Sequence, residues 1–597
     1  MTTTSSGLRG EPIDSHSLLA ADQRWISPPF QRRYVWGTYE IDKLWEDINQ
    51  VLEYEEPVFM GALVTQIHDQ GTTLNPKLVW LIDGQQRLTT LSLLILSCIE
   101  LAQKKGWEDT ASDLTIRYMF HTQSRVKDEP KLQPTFEDRK QFSHLWRKLQ
   151  FPPAKNIGLA EIQDPEGNLV AGYNYCYGKM VAEFETRSEG TITEESLTRL
   201  LDLVLRNLQF VEIGLEDRHD VYTIYERLNV AGVKLEVIDL VRNIVFQKVG
   251  DTDNATIIYN EKWQPFEAAF TDPASPNSTS LRDGYFFPFG QTIHPSITKA
   301  GIYSTLKEFW DTDPEFKDLE ATDKAEAIIE HLAKYKPAYD LITQGKTPNY
   351  SPESQIQQQL DRLVRMNVPN MIYSYLMQLL HAWMNRIDNI ALDDCVNCIN
   401  FIDSFLVRRA LDGKEPTGIK ALFQNMWQEA QFDTRKMLDK IERSSTQDFP
   451  NDDAFRESIR TGNLYNRKLC KYILQEQELG RSGLTNNVIH NNLQNITIDH
   501  IWPQSNAGSW ATIFDGDTNI EYNNTWANLV PLSQEANSAK NADNWAKARE
   551  IYTRENIYKV TSDLVHTYEN WNMSSLLQRA SEIADWAITR WPHPSSY

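Results

Sequence analysis

The chain has 597 residues, which is enough for roughly two to four domains with sizeable cores. The hydrophobic content is 41%, no apolar run is long enough to span a bilayer, and the N-terminus lacks a signal-peptide pattern. The chain has only five cysteines. These features together predict a soluble cytoplasmic protein without disulfides. The net charge of −22 argues against diffuse DNA binding, so any nucleic-acid contact must come from local basic patches or metal-bridged phosphates.

A proline-stiffened loop follows a short extended segment at residues 25–27. The loop covers residues 28–36, with the sequence PPFQRRYVW, and combines cations, amides and aromatic rings. This mixture suits base stacking and phosphate contact, and the alternative is a surface loop anchored by Trp36. Apolar residues at helical spacing then predict a helix over 41–52, and the apolar run at 59–67 predicts a strand.

A strand-to-helix turn is the first chemical motif. It joins a buried strand at 78–82 to a helix with apolar periodicity from Leu88 onward, and it has the sequence DGQQR. Such a turn presents free backbone N–H groups and the positive end of a helix dipole. Gly84 permits close backbone approach, Arg87 carries a charged fork that suits a phosphate, and Asp83 can hold a metal or orient a water. The turn therefore offers an anion site, with an ordinary capped helix as the alternative.

The middle of the chain, to about residue 445, is predicted to be mainly helical. Cys395 and Cys398 form a lone CxxC inside an apolar-periodic helix, which favours two core thiols over zinc. Arg408 and Arg409 either meet a DNA phosphate or pair with neighbouring acids. Residues 444–453 are a candidate linker, and a basic cluster follows it: Arg456, Arg460, Arg467, Lys468, Lys471 and Arg481.

A second chemical motif lies near the C-terminal end of the chain, in the order strand, loop, strand, helix. Its polar members are Asp499, His500, Asn528 and Asn537, with Lys540 close behind. Phosphodiester cleavage needs a general base and a divalent cation, which a neutral histidine and Asp or Asn oxygens can supply. Neighbours on an extended strand point opposite ways, so Asp499 and His500 serve one site only if the strand end bends. The alternative is a structural histidine.

The two motifs, in this order, resemble the GmrSD-type modification-dependent restriction proteins, whose relatives include the SspE and BrxU defence proteins. The resemblance implies a mainly α chain with α+β ends. Its parts would be a ParB/sulfiredoxin-like α/β domain at 1–245 that hydrolyses nucleotide and senses DNA, a helical connecting domain at 246–445 and a ββα-metal (HNH) nuclease domain at 446–597. One departure is Ala527, where the family usually has glycine.

The resemblance also implies roles for individual residues. In the nuclease domain His500 would be the general base, Asn528 would tether the hairpin and orient His500, and Asp499 and Asn537 would bind the metal. Nucleotide binding would involve Asp83, Gly84, Gln85, Gln86 and Arg87, of which Asp83 and Arg87 would also be catalytic. Sensing of the DNA modification would involve Phe30, Gln31 and Arg32. A later segment with Glu226, Arg227 and Asn229 would either face the nucleotide or act as a helix-turn-helix brace.

The function expected from this resemblance is a type IV-like DNA endonuclease of anti-phage defence. It would couple hydrolysis of a nucleoside triphosphate, GTP or another, to Mg²⁺- or Mn²⁺-dependent nicking or cleavage of modified double-stranded DNA. Two alternatives are a ParB-like DNA-binding regulator without catalysis and a toxin nuclease that acts on RNA or unmodified host DNA. The sequence leaves open the modification, the nucleotide and its effect, and whether the protein is a homodimer.

Overall fold

The chain divides into two compact units. The computed structural model describes residues 10–28, 31–72, 74–121, 129–135, 138–151, 166–215, 236–246, 249, 252–270, 278–345, 354–414, 418–482, 496–505, 509–514, 522–540, 544–554 and 557–596. Unit 1 comprises Met1–Ala269 and Trp310–Ile329, and unit 2 comprises Phe270–Phe309 and Glu330–Tyr597. This division is coarser than the three predicted domains, whose boundaries stay predictions. Phe30, Glu226, Arg227 and Asn229 lie outside the described residues.

The N-terminal part is an α/β arrangement. In chain order its elements are β1 (Gly10–Asp14), α1 (Ser15–Ala20), β2 (Gln23–Ile26), α2 (Thr38–Tyr54), β3 (Val58–Asp69), β4 (Lys77–Asp83), α3 (Gln85–Lys105), α4 (Glu108–Leu114), β5 (Leu132–Gln133), α5 (Arg139–Lys148), α6 (Asn168–Arg187), α7 (Glu194–Asn207), β6 (Leu208–Leu215), α8 (Val237–Phe246), α9 (Thr252–Ile258) and α10 (Gln264–Ala268). The helix predicted at 41–52 and the strands predicted at 59–67 and 78–82 are confirmed.

The strands form one mixed sheet in the order β1-β6-β3-β4-β2-β5. β3 pairs antiparallel with β4 and parallel with β6, and β4 pairs parallel with β2. The register between β3 and β6 shifts between Phe59 and Ala62, so Met60 and Gly61 form a bulge next to the start of α3.

The centre of unit 1 is α3, because this helix is buried around its whole circumference. Every residue from Leu88 to Ala102 is buried, which is typical of a helix inside a core. The helix begins at Gly84, whose φ of 93° is the left-handed conformation that glycine adopts without steric cost. The DGQQR turn is therefore attached directly to the buried centre of the unit.

The rest of the chain is mainly helical, as predicted. Its elements are α11 (Ser278–Ile293), α12 (Ile302–Thr312), α13 (Ala321–Ala333), α14 (Lys336–Gln344), α15 (Gln355–Met366), α16 (Tyr373–Met384), α17 (Leu392–Leu411), α18 (Ile419–Gln424), α19 (Met426–Ala430), α20 (Thr434–Glu442), α21 (Asp452–Thr461), α22 (Cys470–Ser482), β7 (Thr497–His500), α23 (Trp510–Ile513), β8 (Leu529–Leu532), α24 (Gln534–Ala539), α25 (Trp545–Arg554), α26 (Lys559–Thr567) and α27 (Met573–Arg590). None of the described helices has the length and apolar character needed to cross a membrane.

A buried ionic network ties four helices of unit 2 together. Arg590 on α27 donates to Asp403 on α17 at 2.8 Å and to Glu476 on α22 at 2.9 Å. Glu476 also accepts from Arg365 on α15. Asp403 and Glu476 are 1% and 2% exposed, and each carboxylate is matched by guanidinium groups, as buried charges require.

Two predictions for the middle of the chain have clear outcomes. Cys395 and Cys398 lie on α17 as free buried thiols, so the prediction of core cysteines is confirmed. Arg408 is fully buried and donates to the carbonyl oxygens of Trp591 and Pro450 and to the carboxylate of Asp452. The structure therefore supports the pairing alternative for Arg408 over a phosphate contact.

Candidate functional site

The two glutamines of the DGQQR turn hold the backbone of the neighbouring loop. Gln85 donates from Nε2 to the Arg32 carbonyl oxygen at 2.6 Å. Gln86 accepts from the Val35 N–H at 2.9 Å and donates to the Arg33 carbonyl oxygen at 3.1 Å. Each glutamine amide therefore replaces a backbone partner that the loop lacks.

The loop returns the contact from its own side chains. Gln31, which is buried, donates to the carbonyl oxygens of Leu81 at 3.0 Å and Ile82 at 2.8 Å, at the end of β4. The Tyr34 N–H donates to Asp138 Oδ2 at 2.7 Å. Burial raises the pKa of Asp138 to about 6, and its Oδ1 has no hydrogen-bond partner among the described residues. The loop and the turn thus form one hydrogen-bonded assembly.

Arg87 faces the bulge on β3. Its guanidinium donates to the carbonyl oxygens of Met60 at 2.6 Å and Ala62 at 2.8 Å, and it lies 3.4 Å from Asp83 Oδ2. A Cβ on Gly61 would lie 2.3 Å from Arg87 Nη1, so glycine is required for this approach. Burial lowers the pKa of Arg87, with Asp83 opposing the effect. The sequence suggested that the guanidinium of Arg87 binds a phosphate, but in the structure it donates hydrogen bonds to backbone carbonyl oxygens.

An anion at this turn would meet other donors. The first N–H groups of α3 have no partner within the helix, and the positive end of its dipole lies at the turn. The Asp83 side chain is 35% exposed, and Arg33 is exposed on the adjacent loop. The nucleotide roles of Asp83, Gly84, Gln85, Gln86 and Arg87, and the DNA-sensing roles of Gln31 and Arg32, stay predictions.

The second motif forms a hairpin in which Asn528 is the central tether. β7 and β8 pair antiparallel, with Asp499 opposite Val530. Asn528 is fully buried between the two strands' inner ends. It accepts from the Trp502 N–H at 2.9 Å and donates to the carbonyl oxygens of Trp502 and Asn523, each at 2.8 Å. The amide therefore connects the two ends of the loop that joins the strands.

Arg579 on α27 braces this tether from behind. Its Nη1 donates to the carbonyl oxygens of Ala527 at 2.6 Å and Leu529 at 3.2 Å, the residues on either side of Asn528. Burial lowers the pKa of Arg579 to about 10. Ala527 lies in a short 3-10 turn and has no positive φ, so alanine in place of the family's glycine adds no backbone strain.

His500 lies at the end of β7 with a fixed ring orientation. Its Nε2 is 2.9 Å from Asn524 Oδ1, an oxygen that also accepts from Gln504 Nε2 at 2.9 Å. The ring of Tyr465 packs edge-on against the imidazole with centroids 4.4 Å apart. Burial lowers the pKa of His500; the Asn524 contact and Asp499 act in the opposite direction. The imidazole is therefore neutral at pH 7, because its pKa lies below the usual 6.5.

The carboxylate of Asp499 contacts two residues that follow β8 in the chain. Its Oδ2 accepts from Lys540 Nζ at 2.7 Å and from the Tyr552 hydroxyl. Asn537 is half-buried on α24, and Lys540 follows the last residue of that helix in an extended conformation. Within the described ranges no three or more His, Cys, Asp and Glu side chains are grouped to hold a metal ion. The oxygens of Asp499 and Asn537 are nevertheless of the kind that Mg²⁺ takes.

The sequence reasoning missed four residues of this hairpin: Tyr465, Asn524, Tyr552 and Arg579. Asn524 stands in the segment that carries Asn528, so its proximity to a histidine base was available as a signal. The other three come from distant helices or turns and have no local signature.

In the basic cluster, Arg456 pairs with Asp585 at 2.7 Å and Arg460 with Glu457 at 2.9 Å, so part of its charge is already neutralised.

Both ends of the chain match known protein families. Residues 16–246 match the model of the GmrSD restriction endonuclease N-terminal domain. Residues 449–586 match the model of the GmrSD restriction endonucleases C-terminal domain. The first match contains the DGQQR turn, the second contains the Asp499–His500 hairpin, and together they cover more than half of the chain. A comparison with curated proteins gave no match.

Proposed function

The chain belongs to the GmrSD restriction endonucleases, and from this premise we propose that it is a type IV-like, modification-dependent DNA endonuclease of anti-phage defence. Its cleavage centre would be the β7–β8 hairpin with His500 as general base. Its N-terminal part would bind and hydrolyse a nucleoside triphosphate and sense the modified DNA.

The observation that carries the proposal is the state of His500. Because Asn524 Oδ1 only accepts hydrogen bonds, the 2.9 Å contact assigns the proton to Nε2 and leaves the lone pair on Nδ1. A neutral imidazole with one oriented lone pair can take a proton from a water that attacks phosphorus. Asn528 and Arg579 hold the turn that carries Leu529, the residue paired with His500, so the base is attached to a fixed backbone.

A divalent cation bound here would neutralise charge on the scissile phosphate. Asp499 and Asn537 would hold it, since Asp499 Oδ1 accepts no hydrogen bond from the described residues. DNA phosphates and water would complete the oxygen shell.

The nucleotide half of the proposal rests on the turn between β4 and α3. Phosphate oxygens would bind the free N–H groups at the start of α3, with Asp83 at the edge of the site. The side chains of Gln85, Gln86 and Arg87 would not contact the phosphate directly. They would instead hold the loop at 31–36 and the bulge of β3 beside it. This arrangement gives the nucleotide a direct mechanical connection to Gln31 and Arg32, the residues expected to sense DNA.

The test is a cleavage assay with matched DNAs that are unmodified, hydroxymethylated, glucosylated or phosphorothioated, each with Mg²⁺ or Mn²⁺ and with or without GTP. We expect cleavage of one modified substrate and its loss in His500→Ala. Absence of cleavage on every DNA, with nucleotide hydrolysis intact, would refute the nuclease and favour a DNA-binding regulator. Cleavage of unmodified DNA or RNA would instead favour the toxin alternative.

A further inference from the structure

A cluster of four oxygen atoms behind His500 encloses the ammonium group of Lys540, and we call it the Lys540 cage. Nζ donates to Asp499 Oδ2 at 2.7 Å, to the Tyr552 hydroxyl at 2.8 Å and, more closely, to the His500 carbonyl oxygen. It also lies 3.4 Å from the Ile501 carbonyl oxygen. The Lys540 side chain is 4% exposed. The ammonium group therefore lies where oxygen ligands converge, at the end of the strand that carries the base.

Tyr552 is the member of the cage with the most specific role. It is fully buried on α25, and its hydroxyl donates to Asp499 Oδ2 while accepting from Lys540. One oxygen of Asp499 thus receives two strong donors, and a carboxylate held at one oxygen can no longer rotate.

The other oxygen of Asp499 has a different environment. Oδ1 accepts no hydrogen bond from any described residue, although the Asp499 residue as a whole is only 8% exposed. A carboxylate oxygen that receives no hydrogen bond from the protein is available to a divalent cation or to water. Asn537 lies on α24, three residues before Lys540 in the sequence, and carries the second oxygen that the proposed function assigns to the cation.

We propose that Tyr552 and Lys540 are positioning residues that fix Asp499 by its Oδ2 and thereby present Oδ1 to a divalent cation. The inference rests on the proposed function, and it adds to it the groups that orient the metal ligand. Partners that hydrogen-bond a metal ligand typically change metal affinity by about 10- to 100-fold when they are removed.

The competing explanation is a brace that only connects α24 and α25 to β7. Such a brace would matter for the stability of the hairpin and leave the affinity for a cation unchanged. The two explanations are separated by a variant that removes one hydroxyl and no charge.

The experiment measures Mn²⁺ binding to the full chain by electron paramagnetic resonance, without DNA or nucleotide. Asp499→Asn identifies the hairpin site as the one that disappears. Tyr552→Phe should weaken that site by about 10- to 100-fold, with the fold intact by circular dichroism. Tyr568→Phe is the matched control, because its hydroxyl also donates to a carboxylate, that of Glu582 at 3.0 Å, rather than to Asp499.

Unchanged Mn²⁺ affinity in Tyr552→Phe would overturn the inference and leave the proposed nuclease standing. If Asp499→Asn binds Mn²⁺ as tightly as the wild-type protein does, the assignment of the metal in the proposed function is wrong instead. If Tyr552→Phe unfolds, Lys540→Arg carries the test. It keeps the charge, but a planar fork does not reproduce the contacts of the Lys540 cage, so the same weakening is expected.

Discussion

Arg87→Ala distinguishes a backbone brace from a phosphate ligand. The guanidinium of Arg87 donates to the carbonyl oxygens of Met60 and Ala62 at the bulge of β3. Removing it should loosen β3 and the start of α3, whether or not nucleotide is present. If Arg87 bound phosphate instead, the same substitution would weaken nucleotide binding and leave β3 as it was.

The magnitude follows from the two contacts. A hydrogen bond from a charged donor is worth about 1.5–3 kcal/mol. The bonds at 2.6 and 2.8 Å both disappear in Arg87→Ala, whereas the 3.4 Å contact to Asp83 adds little. Because the side chain is 20% exposed, water can partly replace the lost donors. We therefore expect a local cost of about 3 kcal/mol, which is on the order of a hundredfold in the opening equilibrium.

Hydrogen exchange read by mass spectrometry measures that equilibrium for peptides of β3 and α3. Exchange should accelerate on the order of a hundredfold in Arg87→Ala and by less in Arg87→Lys, which retains one donor. Arg206→Ala is the control, since Arg206 forms an exposed pair with Asp202 on α7 and should change nothing measurable. Unchanged exchange in β3 with weakened nucleotide binding would refute the brace.

Three further predictions concern unit 2. Asn524→Ala should lower kcat by up to about a hundredfold, because His500 would lose the contact that orients its ring. The rate of the wild-type protein should fall as the pH drops below 6.5 toward the lowered pKa of His500, because the imidazole then gains a proton. Tyr465→Ala, in a His500→Ala background, should weaken DNA binding by about 1–3 kcal/mol in fluorescence anisotropy. The exposed ring of Tyr465 lies beside the His500 position, where it can stack on a nucleotide. Glu476→Gln should destabilise unit 2 by about 3–5 kcal/mol in urea unfolding.

Each of these predictions has its own control. A flat pH profile with no loss of rate below pH 6.5 would contradict the role of His500 as a neutral base. Tyr54→Ala removes a ring that is 62% exposed on unit 1 and should leave DNA affinity unchanged. Burial alone would raise the pKa of Glu476, but Arg590 and Arg365 hold it below the usual 4.5. Its stabilising contribution is therefore present above pH 4.5 and is lost on further acidification, which unfolding midpoints at pH 7 and pH 3 would reveal.

The order of strands and helices at both ends was predictable because it depends on local patterns. The run at 78–82, the periodicity after Leu88 and the Asp499–His500 hairpin all emerged with the expected element types. The pairing of β3 with β6 was not predictable, because it joins residues about 150 positions apart in the sequence and no local pattern specifies it.

The candidate site was predictable in its residues and less so in their partners. Residue type suggested a phosphate for Arg87, but the backbone carbonyl oxygens of a distant bulge satisfy the same donors. The sequence identified Asp499 as a metal ligand and placed Lys540 in the same motif. The contacts of Lys540 and Tyr552 with one oxygen of Asp499 became visible only in three dimensions. Long-range partners of this kind leave no periodic signature.

The buried ionic network of unit 2 limits how modular the nuclease can be. A fragment covering residues 446–597 would keep Glu476 and Arg590 but lose Asp403 and Arg365, leaving charges without their partners. The C-terminal part should therefore not work as a cassette that can be transplanted onto another sensor. Genetic screens should also recover inactive alleles in α15 and α17, far from His500 in the sequence, because those helices complete the same folded body.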